Sequence, residues 1–344
     1  MKHRESSIEL LRILAGISVI ILHFNYMPTG GGAIIATSGN IKNVFEWFEA
    51  ICICAVNVYI LISGYFNINS KSINVSRLLK ILIQTIVYSF MCEVFYAICS
   101  SNFDYKRIIR AFIPSNYYVI LYITLMLIAP YINVIINNLS KNGVKKLIVI
   151  AFSIFSIYPT VVEVFEEIIN RQIIGLSSIS MTGSGAGYTI VNFILMYIMG
   201  ASIRKLNVEN INRDHLIFIL CIGWIVIFLW GKIFVNTAYM YCNPIVILES
   251  VCVFCFFLKL KVNSTLINII APASFSCYLI HEKFLLAIFK LDLIKDNVGI
   301  IYLMVISVII IYILSFLIMK VWNAISWPFY KKTVNLLSNI KIIE

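Results

Sequence analysis

Charge is scarce in this chain. Charged residues fill 12% of its 344 positions, hydrophobic residues 61%, and mean hydropathy is +0.94. A soluble globular domain carries about 25% charged residues, so that class is excluded. No segment of soluble composition and no repeat of fixed period interrupts the apolar stretches, which leaves one membrane domain over residues 1–344. A small-residue cleavage site is also missing after the basic start Lys2-His3-Arg4, and charged residues lie inside the apolar run that follows. That run therefore reads as an uncleaved first span rather than a secretory signal. Paired metal ligands are absent too. The nine cysteines fall nearly all inside apolar stretches, and Cys252-x-x-Cys255 has no partner pair, so no metal is expected and the redox compartment stays open. Gly183-x-Gly185-x-Gly187 follows no strand and is no dinucleotide fingerprint. The net charge of +11 does not imply nucleic acid, because Lys and Arg sit mostly in short loops, where basic bias reports orientation.

What the chain does have is a series of apolar stretches near the roughly 20 residues a crossing helix needs. Ten are predicted, at about 8–26, 44–66, 78–99, 117–137, 145–163, 188–203, 216–235, 243–260, 271–289 and 299–322. The expected fold is all-α: a polytopic transmembrane bundle of about ten spans in the cell membrane. With the N-terminus inside, seventeen of the 27 Lys and Arg residues fall on the inner side and eight on the outer, while Arg12 and Lys283 lie within spans. Both termini are therefore expected in the cytoplasm. Lys106-Arg107-Ile-Ile-Arg110 dissents from the bias, and its pattern suits a short amphipathic helix at the membrane surface. The outer loop from about 165 to 187 reads either as a flexible connector or as a lid over an acceptor site.

Ionisable residues inside apolar spans are costly unless they face a polar cavity, which makes them functional candidates. Arg12 and His23 stand eleven residues apart on the first span. At about 100° per residue they share one face, separated by about 16 Å along the axis. Histidine is a general base at neutral pH, and arginine holds phosphate or carboxylate with a permanently charged fork. Such a face suits transfer of a group from a cytoplasmic anionic donor to an external hydroxyl. The competing reading is that both side chains snorkel to the two membrane interfaces. Glu9, one turn before Arg12, is placed to pair with it. Ser63-Gly64 permits close approach of another helix or of a ligand. Arg77 and Lys80 share a helical face, either as a clamp for nucleotide phosphates or as an inner-surface anchor. His281, Glu282 and Lys283 fall consecutively in the ninth stretch, and Glu93 and Glu249 are further acids placed to line a cavity. Tyr117, Tyr118 and Tyr122 read as interfacial belt residues, and Pro130 as a kink.

Taken together, these segments resemble the acyltransferase 3 family of integral-membrane acyltransferases across most of the chain. Arg12 and His23 are similar to that family's Arg, ten residues, His signature in the first helix. Tyr59-Ile60-Leu61-Ile62-Ser63-Gly64 is similar to its aromatic-aromatic-x-x-Ser-Gly signature, with Ile60 in place of the second aromatic. Arg77 and Lys80 resemble its basic pair, where many members carry Arg twice, and Tyr278-Leu-Ile-His281 resembles its late His stretch. The segments Asn116 to Asn133 and Tyr241-Cys-Asn-Pro244 resemble members that decorate bacterial surface polysaccharides. The resemblance implies an O-acetyltransferase that moves acetyl from acetyl-CoA to a carbohydrate hydroxyl. In it His23 would deprotonate the hydroxyl or assist acyl passage, Arg12, Arg77 and Lys80 would hold the donor's phosphates or orient its thioester, Ser63-Gly64 would shape the acyl passage, and His281 would be a second polar contact. No Gly-x-Ser-x-Gly elbow marks Ser63 as a nucleophile. Two other functions stand beside this one. A transporter or flippase without chemistry also buries charges, although no mirrored halves are present. An enzyme using another acyl donor, such as succinyl-CoA, fits the same resemblance.

Overall fold

The structure, a computed structural model, describes residues 5–26, 31–100, 105–114, 116–207, 211–290, 297–336 and 340–341. Lys2, His3, Arg4 and Lys295, which enter the start-of-chain and charge-bias readings, lie outside them.

Helix α1 (Ser6–Asn25) is followed by the short α2 (Gly32–Ile35), then by α3 (Gly39–Cys52) and α4 (Ala55–Asn67), which together form one apolar length of 29 residues. Next come α5 (Val75–Ser100), α6 (Tyr105–Ala111) and α7 (Tyr117–Asn138). Helix α8 (Lys141–Phe152) passes through a π-helical turn at Ser153–Ile157 into α9 (Tyr158–Ile169). The second half holds α10 (Ile190–Leu206), α11 (Arg213–Ile233), α12 (Val235–Ala238), α13 (Pro244–Leu258), α14 (Thr265–Ile270), α15 (Ala273–Lys290) and α16 (Asn297–Leu336). The one pairing of strands among the described residues is antiparallel, β1 (Ser72–Ile73) with β2 (Ile340–Lys341). The all-α membrane architecture predicted from the sequence is what the structure shows.

Polar residues set the helix starts. Asn116, Ser140, Asn212, Asn243 and Ser264 each accept from a backbone N–H in the first turn of α7, α8, α11, α13 and α14. Pro244 adds a preset φ at the start of α13. Asn170 and Asn207 end α9 and α10 in the left-handed conformation. Pro130 lies inside α7, which continues past it to Asn138. The basic segment at 106–110 folds as α6, as its pattern predicts.

Seven helices among the described residues are long and apolar enough to cross a membrane. The other three predicted stretches fold as α10, α13 and α15, of 17, 15 and 18 residues. Helix α4 lies at the centre of the bundle, with Val58, Ile60, Leu61 and Ile62 all buried. It meets α10 backbone to backbone. A Cβ on Gly64 would stand 2.2 Å from the Tyr197 carbonyl oxygen, and one on Gly200 would stand 2.2 Å from that of Leu61. Only glycine at both places allows this approach.

Candidate active site

Helices α1 and α15 run side by side and in the same direction. A Cβ on Gly16 would meet Ser274 Cβ at 3.5 Å, and seven residues further along each helix the rings of His23 and His281 meet edge-on, 4.6 Å between centres. Seven residues are two turns on both helices, so a single face of each leads from the first contact to the second. The bare Cα of Gly16 also leaves room for Tyr59, whose hydroxyl donates to the Arg12 carbonyl at 2.8 Å.

At the Arg12 end of these faces lies a cavity of about 350 Å³. Glu9, Arg12, Ser63, Arg77, Lys80 and Gln84 give it polar groups. Val19, Val56, Ile62, Ile81, Phe275 and the rings of Tyr59, Tyr118, Tyr122 and Tyr278 give it apolar walls. Four of the residues singled out by sequence (Arg12, Ser63, Arg77 and Lys80) thus share one space, contributed by α1, α4 and α5. The cavity is concave, mostly apolar and polar at one side, the usual form of a small-molecule site. Arg12 pairs with Glu9 at 2.8 Å, as the one-turn spacing predicts, and still faces the cavity.

The basic pair is held by its approach. Asn74 Oδ1 accepts from the Arg77 backbone N–H at 2.9 Å and caps the start of α5. The loop from α4 into α5 is fastened from α7: Asn133 Nδ2 donates to the carbonyls of Asn67 at 2.8 Å and Ser70 at 2.9 Å, and Asn137 Nδ2 donates to that of Ile68 at 2.9 Å. Tyr197 in turn donates to Asn133 Oδ1 at 3.0 Å. Each buried polar group here has a partner, and this makes the loop a defined mount rather than a flexible link.

Ser63 and Gly64 part company. Ser63 lines the cavity, but its hydroxyl donates to the Tyr59 carbonyl at 3.0 Å. Gly64 is turned to α10, where it permits helix packing.

Beyond the cavity stand the two histidines. Val19 lines the cavity wall, and His23 follows it by about one turn on α1. His281 is 3% exposed. Its Nδ1 lies 3.1 Å from the Cys277 carbonyl and 2.8 Å from that of Tyr278. Carbonyl oxygens only accept, so Nδ1 carries the proton and Nε2 is left as a lone-pair acceptor. That Nε2 is buried and takes no hydrogen bond from any described residue. Tyr278 stands between cavity and histidine pair: its ring is 5.8 Å from that of His281 and 5.0 Å from that of Tyr118, and its hydroxyl donates to Asn116 Oδ1 at 2.9 Å.

The acidic candidates take other places. Glu282 is exposed and lies within electrostatic reach of His23. Glu93 bridges α5 to its neighbours, contacting Lys283 at 2.8 Å and Arg107 at 3.1 Å, and is not among the cavity residues. Glu249 is buried against Gly223, with neither carboxyl oxygen hydrogen-bonded to any described residue. No group of three or more metal-ligating side chains occurs among the described residues.

Sequence reading missed Gln84, Tyr118 and Tyr122 as cavity residues. Spacing carried the signal: Gln84 follows Arg77 by seven and Lys80 by four, and Tyr118 and Tyr122 are four apart. Compared with known families, residues 5–320 match the family model described as an acyltransferase domain, that of acyltransferase 3. No curated protein and no solved structure matches the chain.

Proposed function

The chain belongs to the acyltransferase 3 family, and from that premise we propose that it is a membrane O-acetyltransferase, moving acetyl from cytoplasmic acetyl-CoA to a hydroxyl of a surface or exported carbohydrate. One observation supports this reading above the others: three cations from α1 and α5 share a largely apolar cavity whose wall leads, one helical turn on, to the half-buried imidazole of His23 and the buried one of His281.

The cavity suits the donor's two chemistries. Arg12, Arg77 and Lys80 offer charge-assisted hydrogen bonds to phosphate oxygens. The tyrosine and aliphatic walls suit the pantetheine arm and the acyl group. His23 takes the proton from the acceptor hydroxyl, whose oxygen attacks the thioester carbonyl. The new C–O bond forms, the C–S bond breaks, and the proton passes from His23 to the departing thiolate. General-base assistance of this kind contributes about 10²–10⁴-fold. His281, held with Nε2 free to accept, takes a hydrogen bond from the ring N–H of protonated His23 and favours the charged ring. Ser63 is no nucleophile in this account, because its proton is committed to the Tyr59 carbonyl. Family membership favours chemistry over a transporter without it. Surface polysaccharide from cells with and without the chain tests the reading: mass spectrometry is expected to find acetyl esters only with it. Succinyl esters would move the donor to succinyl-CoA, and unchanged polysaccharide would remove the reading.

A further inference from the structure

The two ends of the donor cavity differ, and the residues of each can be placed along α1. Helices α1 and α15 keep step from Gly16 beside Ser274 to His23 beside His281. Tyr278, four residues after Ser274, therefore stands level with Ile20, about 12 Å further along the axis than Arg12. Arg12, Arg77 and Lys80 mark the cation end of the cavity, and Tyr278 with Val19 marks the other. Two more lining residues belong to that second end. The Tyr118 ring lies 5.0 Å from that of Tyr278, and Val56 sits on α4 one turn before Tyr59, on the side away from Ser63. Val19, Val56 and Tyr118 are buried in the bundle, whereas Tyr278 is half-buried. Behind Tyr278 is His281, ring centres 5.8 Å apart, and neither histidine is among the cavity residues. The pose of the Tyr278 ring is fixed. Its hydroxyl donates to Asn116 Oδ1 at 2.9 Å, and the same oxygen accepts from the Val119 N–H at 3.2 Å in the first turn of α7.

We propose that Tyr278 decides which acyl group the donor carries: its ring is the floor of the acyl pocket and restricts it to a short, uncharged group. With the donor's phosphates among the cations, its thioester and acyl chain point to the opposite end, between Val19, Val56, Tyr118 and Tyr278. A chain too long for that end must displace a ring braced by Asn116, Tyr118 and His281. One methylene too many in a hydrophobic pocket is worth about 10- to 200-fold in discrimination. An acyl group ending in a carboxylate meets a second obstacle. No Lys or Arg stands at this end among the described residues that line it, and a charge without a partner away from water is costly. Trimming Tyr278 extends the pocket toward His281, which removes the first obstacle and leaves the second. The inference rests on the acyl-transfer reading for the identity of the donor.

Equilibrium binding of S-alkyl thioethers of CoA to the full-length protein in nanodiscs tests it, with no acceptor present. S-ethyl-CoA stands for the acetyl donor, S-butyl-CoA for a longer one, and S-carboxyethyl-CoA for one of similar length that ends in a carboxylate. The wild type is expected to bind S-ethyl-CoA about tenfold or more tighter than S-butyl-CoA. Tyr278→Ala and the milder Tyr278→Leu are each expected to bind the two with near-equal affinity and still to bind S-carboxyethyl-CoA poorly. Tyr278→Phe keeps the ring and is expected to keep the wild-type preference. Equal binding of the ethyl and butyl analogues by the wild type, or an unchanged preference in the Ala and Leu variants, would overturn the inference, as would tight binding of S-carboxyethyl-CoA. No binding of CoA itself would overturn the donor reading with it. The expected preference without any acetyl transfer from acetyl-CoA would overturn the reaction and leave the pocket standing.

Discussion

His23 and His281 meet edge-on, ring centres 4.6 Å apart, and the second ring is locked by two backbone carbonyls so that its buried Nε2 is an acceptor without a partner among the described residues. In the account above this lone pair answers the ring N–H of protonated His23. His281→Phe, which fills the space without the lone pair, is expected to lower kcat by about 10²-fold, at the low end of what acid–base assistance provides. Affinity for acetyl-CoA, measured by equilibrium binding, is expected to hold.

The cation trio gives a prediction on the donor side. A hydrogen bond to a charged group contributes about 1.5–3 kcal/mol, so Arg77→Ala is expected to raise the KM for acetyl-CoA by roughly 10- to 150-fold. Lys80→Arg is expected to keep or tighten donor binding, because a guanidinium holds phosphate in two places. Initial rates against acetyl-CoA concentration check both.

Ser63 and Gly64 are adjacent, yet their variants are expected to fail differently. Ser63→Ala loses only a hydroxyl that bonds its own helix, and is expected to retain most activity and to accumulate no acetyl-enzyme in single-turnover labelling. Gly64→Ala forces a Cβ into the Tyr197 carbonyl and is expected to lower the thermal midpoint sharply.

Asn133 lies in α7, not among the cavity residues, but fastens the loop that mounts Arg77. Asn133→Leu strands two carbonyls and the Tyr197 hydroxyl, each at about 1–3 kcal/mol when buried. The expected result is a higher KM for acetyl-CoA with kcat nearly kept, together with a lower thermal midpoint. A change in kcat alone would contradict the positioning role.

The sequence made some of this visible and hid the rest for physical reasons. Helical periodicity alone put Arg12 and His23 on one face, Glu9 beside Arg12, and Arg77 with Lys80, because those relations are local. Membrane composition gave the all-α bundle. Tyr118 and Tyr122 passed as belt residues because a tyrosine near a span end looks the same whether it faces headgroups or a cavity. Ser63-Gly64 read as one motif, although the two residues point to different neighbours, and only the packing of α4 on α10 separates them. The parallel run of α1 and α15, which joins His23 to His281, links residues over 250 positions apart and has no local trace.

The central claim is that His23 carries out the chemistry while the Arg12, Arg77 and Lys80 cavity holds the donor. Labelled acetyl transfer by purified wild-type and His23→Ala protein, with de-O-acetylated envelope polysaccharide as acceptor, tests it directly. The account predicts that His23→Ala binds acetyl-CoA as the wild type does and passes no label to the polysaccharide. Acetylation by His23→Ala at the wild-type rate would contradict it.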